Sequence, residues 1–572
     1  MLPSAGAIRN PIAYYATGAR PAASARAAPV ALYATARGTA VFDVVLRGGR
    51  VVDGTGAPWF PADVGLRGGR IAADGRLDGA PAALDVDATG MTVAPGFVDI
   101  HEHSDFTLVA DPRAASAVHQ GVTTVVPGNC GFSAAPLLDP AGQAGGLYGF
   151  VAGLRVDWRT FGEYLDRLRA AAPAVNVAPL VGHGAVRGSV LGFAARAPSG
   201  GEAERMRALV GESLDAGAFG LSVGLEYAPG QNAGAAELLG LLGEVRARGR
   251  LFTVHVRSRD FRYLPAVEEA LTVAEAAGVA TQLSHLTARY GALRDADRAV
   301  RRRVEQARDR GLDVTCDQHP FTTSNAAATA VLPPWAFAGG RAALRDRLAA
   351  PRARARLKAF REPQNKLIVA GQWELISLVA APHSPQLLGR PLSEVAAERG
   401  GDAYDAVFDA MLAELDAGDD PTGVRLWAER YVDEEVLRDA LTHPLFMFES
   451  DGQVLAADGP LEAVRNPYSY GWVPRFLGTY VRERGWLPLE DAVRRLTAFP
   501  ARKLGLLDRG LIRPGMCADL VVFDAAVLRP NDTALAPSRY PSGVRDVFVN
   551  GVAALRGGAL TGARPGRVLR PA

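Results

Sequence analysis

The sequence has few cysteines. Its 572 residues include only three, Cys130, Cys316 and Cys517, and they lie far apart. An odd number of widely separated cysteines does not form a disulfide framework, which excludes the class of small secreted domains stabilised by disulfides. We therefore expect a protein of a reducing compartment, with a cytoplasmic localisation.

Long apolar runs and an excess of one charge are also missing. No run of about 18 or more apolar residues occurs, so no transmembrane helix is expected. The chain has 63 basic and 61 acidic residues and a formal net charge of +2. This balance leaves no electrostatic footprint for a nucleic acid or a membrane surface. The expected partner is a small-molecule substrate, and the sequence specifies no oligomeric state.

Acidic residues are absent from residues 1–40, which are rich in alanine, proline and arginine. No continuous apolar segment is present there, which argues against a secretory signal. The composition loosely resembles that of a transit peptide. We expect an unstructured or mis-assigned N-terminal extension and leave it out of the fold.

Both ends of the remaining chain are rich in β-strand patterns. Residues 41–53 and 62–72 have the pattern of short β-strands around Gly-Gly turns. Residues 518–524 and 544–552 have the same character, and Asn550-Gly551 is a hairpin signal. We predict one small β-sandwich formed by residues 41–92 and 505–565.

The middle of the chain alternates strand and helix patterns. Eight short apolar runs end in polar or reactive residues: 93–103, 123–130, 177–183, 219–227, 251–257, 280–285, 313–319 and 445–451. Amphipathic stretches at 161–171, 202–216, 266–277 and 297–310 lie between them. Eight such units predict an α/β fold, a (β/α)₈ TIM-type barrel over residues 93–504. The alternative, an open doubly wound sheet, usually has a glycine-rich phosphate turn after its first strand, where His101-Glu102-His103 stands instead.

The regular rhythm breaks at residues 322–443. These roughly 120 residues are too many for a plain loop in a compact domain. They include an apolar run around Ile368 and a helical pattern at 404–415. We predict a partly helical insertion before the last barrel strand, either a lid at the barrel mouth or a structural excursion on its flank.

Reactive side chains collect at the predicted strand ends. Six of the nine histidines lie there, and a cysteine and an aspartate end two further strands. Imidazole, thiolate and carboxylate together form a zinc ligand set. The predicted metal ligands are His101, His103, Cys130, His255, His285 and Asp451. The remaining two histidines, His183 and His319, either orient substrate or satisfy backbone groups.

These parts favour hydrolysis. A zinc ion lowers the pKa of its bound water to about 7 and polarises a carbonyl group. A neighbouring carboxylate takes a proton from the water and returns it to a leaving amine. No Gly-x-Ser-x-Gly elbow and no Walker phosphate loop occurs in the sequence. The combination predicts cleavage of an amide or a related C–N bond.

Several longer motifs accompany these residues, at 95–105, 121–131, 220–227, 284–285 and 450–452. On these motifs the chain resembles the amidohydrolase superfamily over residues 42–552, and within it the D-aminoacylase (N-acyl-D-amino-acid deacylase) branch. Many amidohydrolases bridge two metals with a carboxylated lysine, whereas this branch uses a cysteine. Asn129-Cys130-Gly131 therefore carries the resemblance most specifically.

The resemblance also implies roles for single residues. It implies a tight zinc position held by Cys130, His255 and His285, and a second position, weakly occupied or empty, at His101, His103 and Asp451. Asp451 would act first as the general base and then as the acid. Tyr227 and Arg257 match positions near the substrate.

Three residues depart from the family pattern. A lysine proposed to bind the substrate carboxylate is Thr287 in this chain, a common glutamate is Arg259, and a tyrosine of the seventh strand is His319. All three positions belong to the presumed substrate pocket, whereas the metal set is intact. Arg259 or Arg289 is therefore a candidate for the missing cation.

The leading hypothesis is zinc-dependent hydrolysis of the amide bond of N-acyl-D-amino acids, which gives a carboxylate and a free amino acid. An alternative is hydrolysis of a dipeptide or a cyclic amide, as in hydantoinase-like enzymes, but those usually have the bridging lysine in place of Cys130. A third hypothesis is an inactive relative that serves as a binding protein. Such relatives typically lose metal ligands, and none is missing in this sequence.

Overall fold

The computed structural model describes residues 42–571, apart from 140–147, 152, 291–293, 338, 362–365 and 420. The prediction for residues 1–40 lies outside the described residues. None of the described helices has the length and apolar character that crossing a membrane requires.

Eight parallel strands of the described chain surround the centre of the protein. In chain order they are Phe97–Asp99, Val122–Val125, a third strand in two pieces (Asn176–Val177 and Val181–Gly182), Gly220–Gly224, Leu251–His255, Thr281–Leu283, Val314–Gln318 and Phe446–Phe448. The two pieces of the third strand pair with its two neighbours. Between the last and first strands, the Asp451 N–H donates to the His101 carbonyl at 3.1 Å. The predicted (β/α)₈ barrel is confirmed.

Helices cover the outside of this barrel, which is why almost every strand residue is buried. Two of the predicted helices, Phe161–Ala171 and Gly200–Ala216, begin with a capping box in which a Thr or Ser and a Glu bond reciprocally to backbone N–H groups. The other helices around the barrel are Thr107–Ala110, Ala115–His119, His183–Leu191, Ala235–Ala247, Tyr263–Ala277, Arg294–Asp309, Glu434–Thr442, Trp472–Pro474, the π-helix Arg475–Glu483, Leu489–Leu496 and Ala498–Lys503.

The apolar run at 93–103 is not one strand, contrary to the prediction. It divides at Gly96 into Thr92–Pro95, which joins the terminal sheet, and Phe97–Asp99, which begins the barrel. A side chain at Gly96 would lie 2.2 Å from the Thr123 hydroxyl oxygen, so only glycine permits this close crossing. Because the barrel strand ends at Asp99, the two histidines of this motif follow the strand instead of lying on it.

Strands from the two segments predicted to form a small β-sandwich pair in one nine-stranded sheet. Its members are Phe42–Val51, Phe60–Arg67, Arg70–Gly75, Ala82–Asp87, Thr92–Pro95, Leu520–Phe523, Val544–Val549, Val552–Arg556 and Ala559–Leu560. Thr92–Pro95 pairs antiparallel with Leu520–Phe523 and thereby joins the two ends. Apolar residues of both ends, such as Val64 and Phe548, share one buried core. The exact domain boundaries stay predictions.

The insertion has its own sheet and its own core. Its antiparallel strands are Ser324–Ala327, Ile376–Ala380 and Arg425–Ala428, and its helices are Gly340–Ala349, Pro351–Lys358, Lys366–Val369, Leu392–Arg399 and Ala403–Asp416. Short 3₁₀ helices of the insertion are Ala328–Val331, Pro334–Phe337, Trp373–Leu375, Pro385–Leu387 and Pro421–Gly423. Two further 3₁₀ helices, Gly230–Asn232 and Gly459–Leu461, lie outside the insertion. Leu378, Phe408 and Leu426 pack in an apolar cluster separate from that of the barrel.

Candidate metal centre

The Cys130 thiol lies at the centre of a buried cluster of imidazoles. Its Sγ atom is 3.2 Å from His101 Nε2, 3.4 Å from His255 Nδ1 and 3.4 Å from His285 Nε2. Each of these four residues is no more than 4% exposed. The elements that deliver them are the carboxyl ends of the first, second, fifth and sixth barrel strands, which meet at one end of the barrel.

Asp451 adds a carboxylate from the end of the eighth strand. Its Oδ1 atom lies 3.1 Å from His103 Nε2 and 3.6 Å from His101 Nε2. The donor atoms thus form two overlapping groups that share the thiol: Cys130, His255 and His285 in one, and His101, His103, Cys130 and Asp451 in the other.

The donor separations fit a tetrahedral metal ion. Zinc bonds of about 2.0–2.3 Å place neighbouring ligand atoms about 3.3–3.8 Å apart in a tetrahedron. The distances from Cys130 Sγ to the three imidazoles are 3.2–3.4 Å, close to that range. The His255 Nδ1–His285 Nε2 separation is shorter, 2.8 Å. Thiolate, imidazole and carboxylate are also the ligand types that zinc prefers.

Carboxylates behind the imidazoles hold two of them in orientation. Glu226 Oε2 is 2.8 Å from His255 Nε2, so that Nδ1 of the same ring faces the thiol. Asp317 Oδ1 is 3.3 Å from His101 Nδ1 and accepts a bond from the His285 backbone N–H at 2.6 Å. A carboxylate on the second nitrogen of a metal-binding histidine fixes its tautomer and makes it a stronger donor.

Changing Glu226 to glutamine is expected to weaken zinc binding about 10- to 100-fold, because such supporting carboxylates contribute about that much to metal affinity. Competition with a chromogenic chelator measures the change. The matched control is Glu237→Gln, since Glu237 lies 2.7 Å from His183 Nε2, outside the cluster. Equal zinc affinity in the two variants would contradict the assigned role of Glu226.

Left-handed backbone occurs at three positions of the cluster. Cys130 has φ 53°, His285 has φ 35° and Asp451 has φ 48°, and they are three of the seven described non-glycine residues with positive φ. Such conformations are disfavoured for residues with a Cβ and concentrate at functional sites, where the surrounding fold enforces them. The left-handed backbone at these three residues directs their side chains from the strand ends into the cluster.

The charges in the cluster favour the metal-binding protonation state of the thiol. Burial by itself raises the pKa of Cys130, but the charges of His101 and His255 outweigh burial and hold the pKa well below its ordinary value. Burial likewise raises the pKa of Asp451, yet the hydrogen bond from His103 and the nearby imidazoles lower it below the ordinary range. Both shifts favour the anionic form of the group, which suits a cation between them.

A cavity of about 390 Å³ opens onto the cluster. The barrel contributes His103, Cys130 and Asp451 to its wall, and the insertion contributes its strand Ser324–Ala327. The larger aromatic members of the wall are Phe132, Tyr148, Tyr227, Phe337, Tyr431 and Tyr468. A pocket of this size, with aromatic and polar side chains in its wall, suits a small molecule.

Two of the four predicted substrate residues lie in this cavity. Tyr227 and His319 line it, and the Tyr227 hydroxyl is 3.2 Å from His255 Nδ1. Burial lowers the pKa of His319 to about 4, so its ring is neutral at neutral pH.

The other two predicted substrate residues are not brought to the cavity. Arg257 forms an ion pair with Glu269 at 2.8 Å and donates to the carbonyls of Gln231 and Ala233. His183 is bound by Glu237 at 2.7 Å. Neither belongs to the cavity wall, and each is held by a carboxylate elsewhere in the fold, so we leave both out of the proposed substrate contacts.

Sequence reasoning missed the carboxylates that support the imidazoles. Glu226 precedes Tyr227 in a motif that the sequence analysis singled out, and Asp317 lies inside the seventh strand, where its burial is unusual for an aspartate. The position of Glu226 within that motif and the presence of an aspartate within an apolar strand pattern are the two sequence signals that indicate these carboxylates. Arg425, a cavity residue on the insertion strand Arg425–Ala428, had no such signal.

A parallel barrel with a thiolate, imidazoles and a carboxylate at the carboxyl ends of its strands defines a metal-dependent hydrolase. Residues 86–554 match the model of the Amidohydrolase family. The chain therefore belongs to that family, and it is a metal-dependent amidohydrolase that acts on non-peptide C–N bonds.

Comparison with individual proteins places the chain among the D-aminoacylases of this family. It is 37% identical to the N-acyl-D-glutamate deacylase of Alcaligenes xylosoxydans xylosoxydans over 92% of this chain and 96% of that protein. It is 34% identical to the D-aminoacylase of the same organism over 92% and 97%. The crystal structure of the N-acyl-D-glutamate deacylase of Bordetella bronchiseptica, complexed with zinc and a phosphonate mimic of the tetrahedral intermediate, superposes with a TM-score of 0.76 at 33% identity over 93% of this chain and 100% of that chain.

Proposed function

We propose that this protein hydrolyses the amide bond of N-acyl-D-amino acids and releases a carboxylate and a free D-amino acid. The observation that carries the proposal is the buried Cys130 thiol among three imidazoles, with the Asp451 carboxylate beside it at the inner end of a small-molecule cavity. The D configuration is taken from the named activities of the relatives, N-acyl-D-glutamate deacylase and D-aminoacylase.

Zinc is the metal that the donor set favours. As the resemblance to the D-aminoacylases implies, Cys130, His255 and His285 would hold one ion tightly; their donor atoms are mutually close and all three residues are buried. His101, His103 and Asp451 would complete a second, weaker position that shares the thiol. When bound, zinc polarises the scissile carbonyl and makes water a better nucleophile.

Asp451 moves the proton in this proposal. Its Oδ1 atom accepts a proton from the attacking water as the water oxygen bonds to the carbonyl carbon. The same oxygen then gives that proton to the amide nitrogen as the C–N bond breaks, so the amine leaves without a negative charge. The place of Asp451 on the cavity wall, at the end of the last barrel strand and beside the imidazoles, supports this role.

Tyr227 and His319 complete the polar surroundings of the reacting bond. The Tyr227 hydroxyl is close to His255, and burial raises its pKa well above the ordinary value, so it remains a hydrogen-bond donor. His319 is the neutral neighbour of Asp451 on the cavity wall. In this proposal both side chains orient the carbonyl oxygen of a bound amide.

Amine release from matched N-acetyl-D- and N-acetyl-L-amino acids tests the proposal. Zinc-loaded protein is expected to release amine from the D series and to act on the L series at least about 100-fold more slowly, since a fixed pocket misplaces the amide of the wrong enantiomer. Release from neither series by zinc-loaded protein, or equal release from both, would contradict it. Hydrolysis confined to dipeptides or cyclic amides would favour the hydantoinase-like alternative.

A further inference from the structure

Aromatic side chains cover one side of the cavity. Apart from Cys130, the described wall residues that follow the second and fourth barrel strands are Phe132, Tyr148 and Tyr227. The arginine, carboxylate and amide side chains of the described wall come from the fifth to eighth strands and from the insertion. In an eight-stranded barrel, the second to fourth strands lie across the centre from the sixth to eighth. One side of the cavity is therefore aromatic, and the opposite side is mixed and carries these polar groups.

The three rings of Phe132, Tyr148 and Tyr227 form a continuous surface, which we call the aromatic row. The ring centroid of Phe132 is 5.8 Å from that of Tyr148 and 5.4 Å from that of Tyr227. These separations are typical of aromatic rings in mutual contact. Each of the three side chains remains partly exposed. A partly exposed apolar surface in the wall of a cavity is typical of a surface that binds a ligand.

The aromatic row lies directly beside the candidate metal ligands. The ring centroid of Tyr148 is 4.9 Å from that of His103, and the ring centroid of Tyr227 is 4.4 Å from that of His255. Phe132 lies between the two tyrosines, with its ring centroid 6.2 Å from that of His103. An amide whose carbonyl group lies at the metal cluster therefore has these rings as neighbours.

The position of Asp451 determines which half of a bound amide faces the aromatic row. In the proposed function the amide nitrogen receives its proton from Asp451, which follows the eighth strand. The acyl substituent is attached to the other side of the carbonyl carbon and extends away from Asp451. Tyr227 follows the fourth strand, which lies across the barrel from the eighth. The amino-acid half also carries a carboxylate, and a polar surface accommodates that charge at a lower desolvation cost than an aromatic one.

We propose that the aromatic row binds the acyl substituent of the substrate and makes the protein selective for apolar acyl groups larger than acetyl. This substrate class rests on the proposed deacylase function and applies to any amino acid that the acyl group is attached to. An acetyl group presents a single methyl group to the aromatic row. A butyryl group adds two methylenes, and each methylene that is buried against an apolar surface strengthens binding about fourfold.

The preference for a longer acyl group has a direct kinetic test with the N-acetyl and N-butyryl derivatives of one D-amino acid. The zinc-loaded protein is expected to hydrolyse the butyryl derivative with a kcat/KM about 10-fold higher or more. Butyryl amides are not intrinsically more reactive than acetyl amides, so such an increase reports contacts with the protein. Hydrolysis of the acetyl derivative with an equal or higher kcat/KM would overturn the proposal and leave the deacylase function intact.

Replacement of Phe132, the central ring of the aromatic row, tests the assignment. Phe132→Ala is expected to lower the butyryl-to-acetyl ratio of kcat/KM to within about threefold of one. Phe132→Leu, which keeps a smaller apolar side chain, is expected to retain part of the ratio. Because both substrates are measured on the same preparation, the ratio does not depend on the fraction of folded protein. The matched control is Phe193→Ala, since Phe193 is 72% exposed and lies outside the cavity wall, and it is expected to keep the full ratio.

A second pair of substrates distinguishes the acyl group from the amino-acid side chain. In Phe132→Ala, the ratio of kcat/KM between N-acetyl-D-leucine and N-acetyl-D-alanine is expected to stay within about threefold of that of the unmodified protein. A large change in this ratio, with an unchanged butyryl-to-acetyl ratio, would show that the aromatic row faces the amino-acid side chain. That result would overturn the proposal.

Binding supplies a readout that does not depend on turnover. In phosphonyl analogues of the substrate, phosphorus takes the place of the carbonyl carbon and carries either a methyl or a propyl group. Calorimetry with the zinc-loaded protein is expected to give about 10-fold tighter binding of the propyl analogue, and Phe132→Ala is expected to abolish that difference. Equal binding of the two analogues by the unmodified protein would overturn the proposal. Selective binding of the propyl analogue without hydrolysis of any N-acyl-D-amino acid would contradict the proposed function and support the assignment of the aromatic row.

Discussion

Replacing Cys130 with alanine is expected to remove the bound zinc and to lower kcat/KM for an N-acyl-D-amino acid by about a thousandfold or more. The Cys130 sulfur is the one donor atom common to both candidate metal groups. Its loss leaves the tight position with only the imidazoles of His255 and His285, and without the anionic ligand that balances the metal charge. Metal polarisation contributes several kcal/mol to such a reaction, and about 4 kcal/mol corresponds to a thousandfold in rate.

Metal analysis by mass spectrometry and amine release on the same preparation measure both effects. The matched control is Cys517→Ala, because Cys517 is buried in the terminal β-structure, where its thiol donates to Asp508. That variant is expected to keep its zinc and its rate. A Cys130→Ala protein with a full complement of zinc would show that the thiol does not bind the metal.

Asp451→Asn is expected to retain the tight zinc and to lose about 10²- to 10⁴-fold in kcat, the range that a general acid–base contributes. The tight group of Cys130, His255 and His285 does not include Asp451. An amide has the shape of the carboxylate, but it does not accept a proton at neutral pH. The change therefore removes the proton carrier and spares that metal position.

The control for this variant is Asp458→Asn, which alters an exposed ion pair with Arg113 seven positions further along the chain. It is expected to leave kcat unchanged, since exposed pairs contribute little. Turnover of Asp451→Asn close to that of the unmodified protein would contradict the proton path. Loss of the tight zinc in Asp451→Asn would contradict the division of the ligands between two positions.

The sequence predicted the barrel and the members of the metal cluster because both depend on local patterns. Each apolar run contains a barrel strand and extends a few residues past its carboxyl end, and in a parallel barrel all carboxyl ends meet at one face. Cys130 and Asp451 follow such runs directly, so their convergence with the histidines required only the topology. The left-handed backbone of Cys130 was not predictable, because cysteine is not one of the residue types that favour this conformation.

The carboxylate partners of Arg257 and His183 were not predicted from the sequence. Arg257 and His183 end strands exactly as ligands do, but the fold gives them Glu269 and Glu237 as partners, 12 and 54 positions away. Pairings of this kind arise only from the packing of helices on the barrel. The division of the first apolar run at Gly96 has the same origin, since it follows from contact with the second strand.

The most direct measurement of the central claim is amine release from an N-acetyl-D-amino acid before metal removal, after chelation, and after the return of one equivalent of zinc. The account predicts activity on the D substrate, its loss on chelation, and its recovery near one equivalent, with the matched L substrate unreactive throughout. Activity that survives complete removal of the metal, or that never favours the D substrate, would contradict the account.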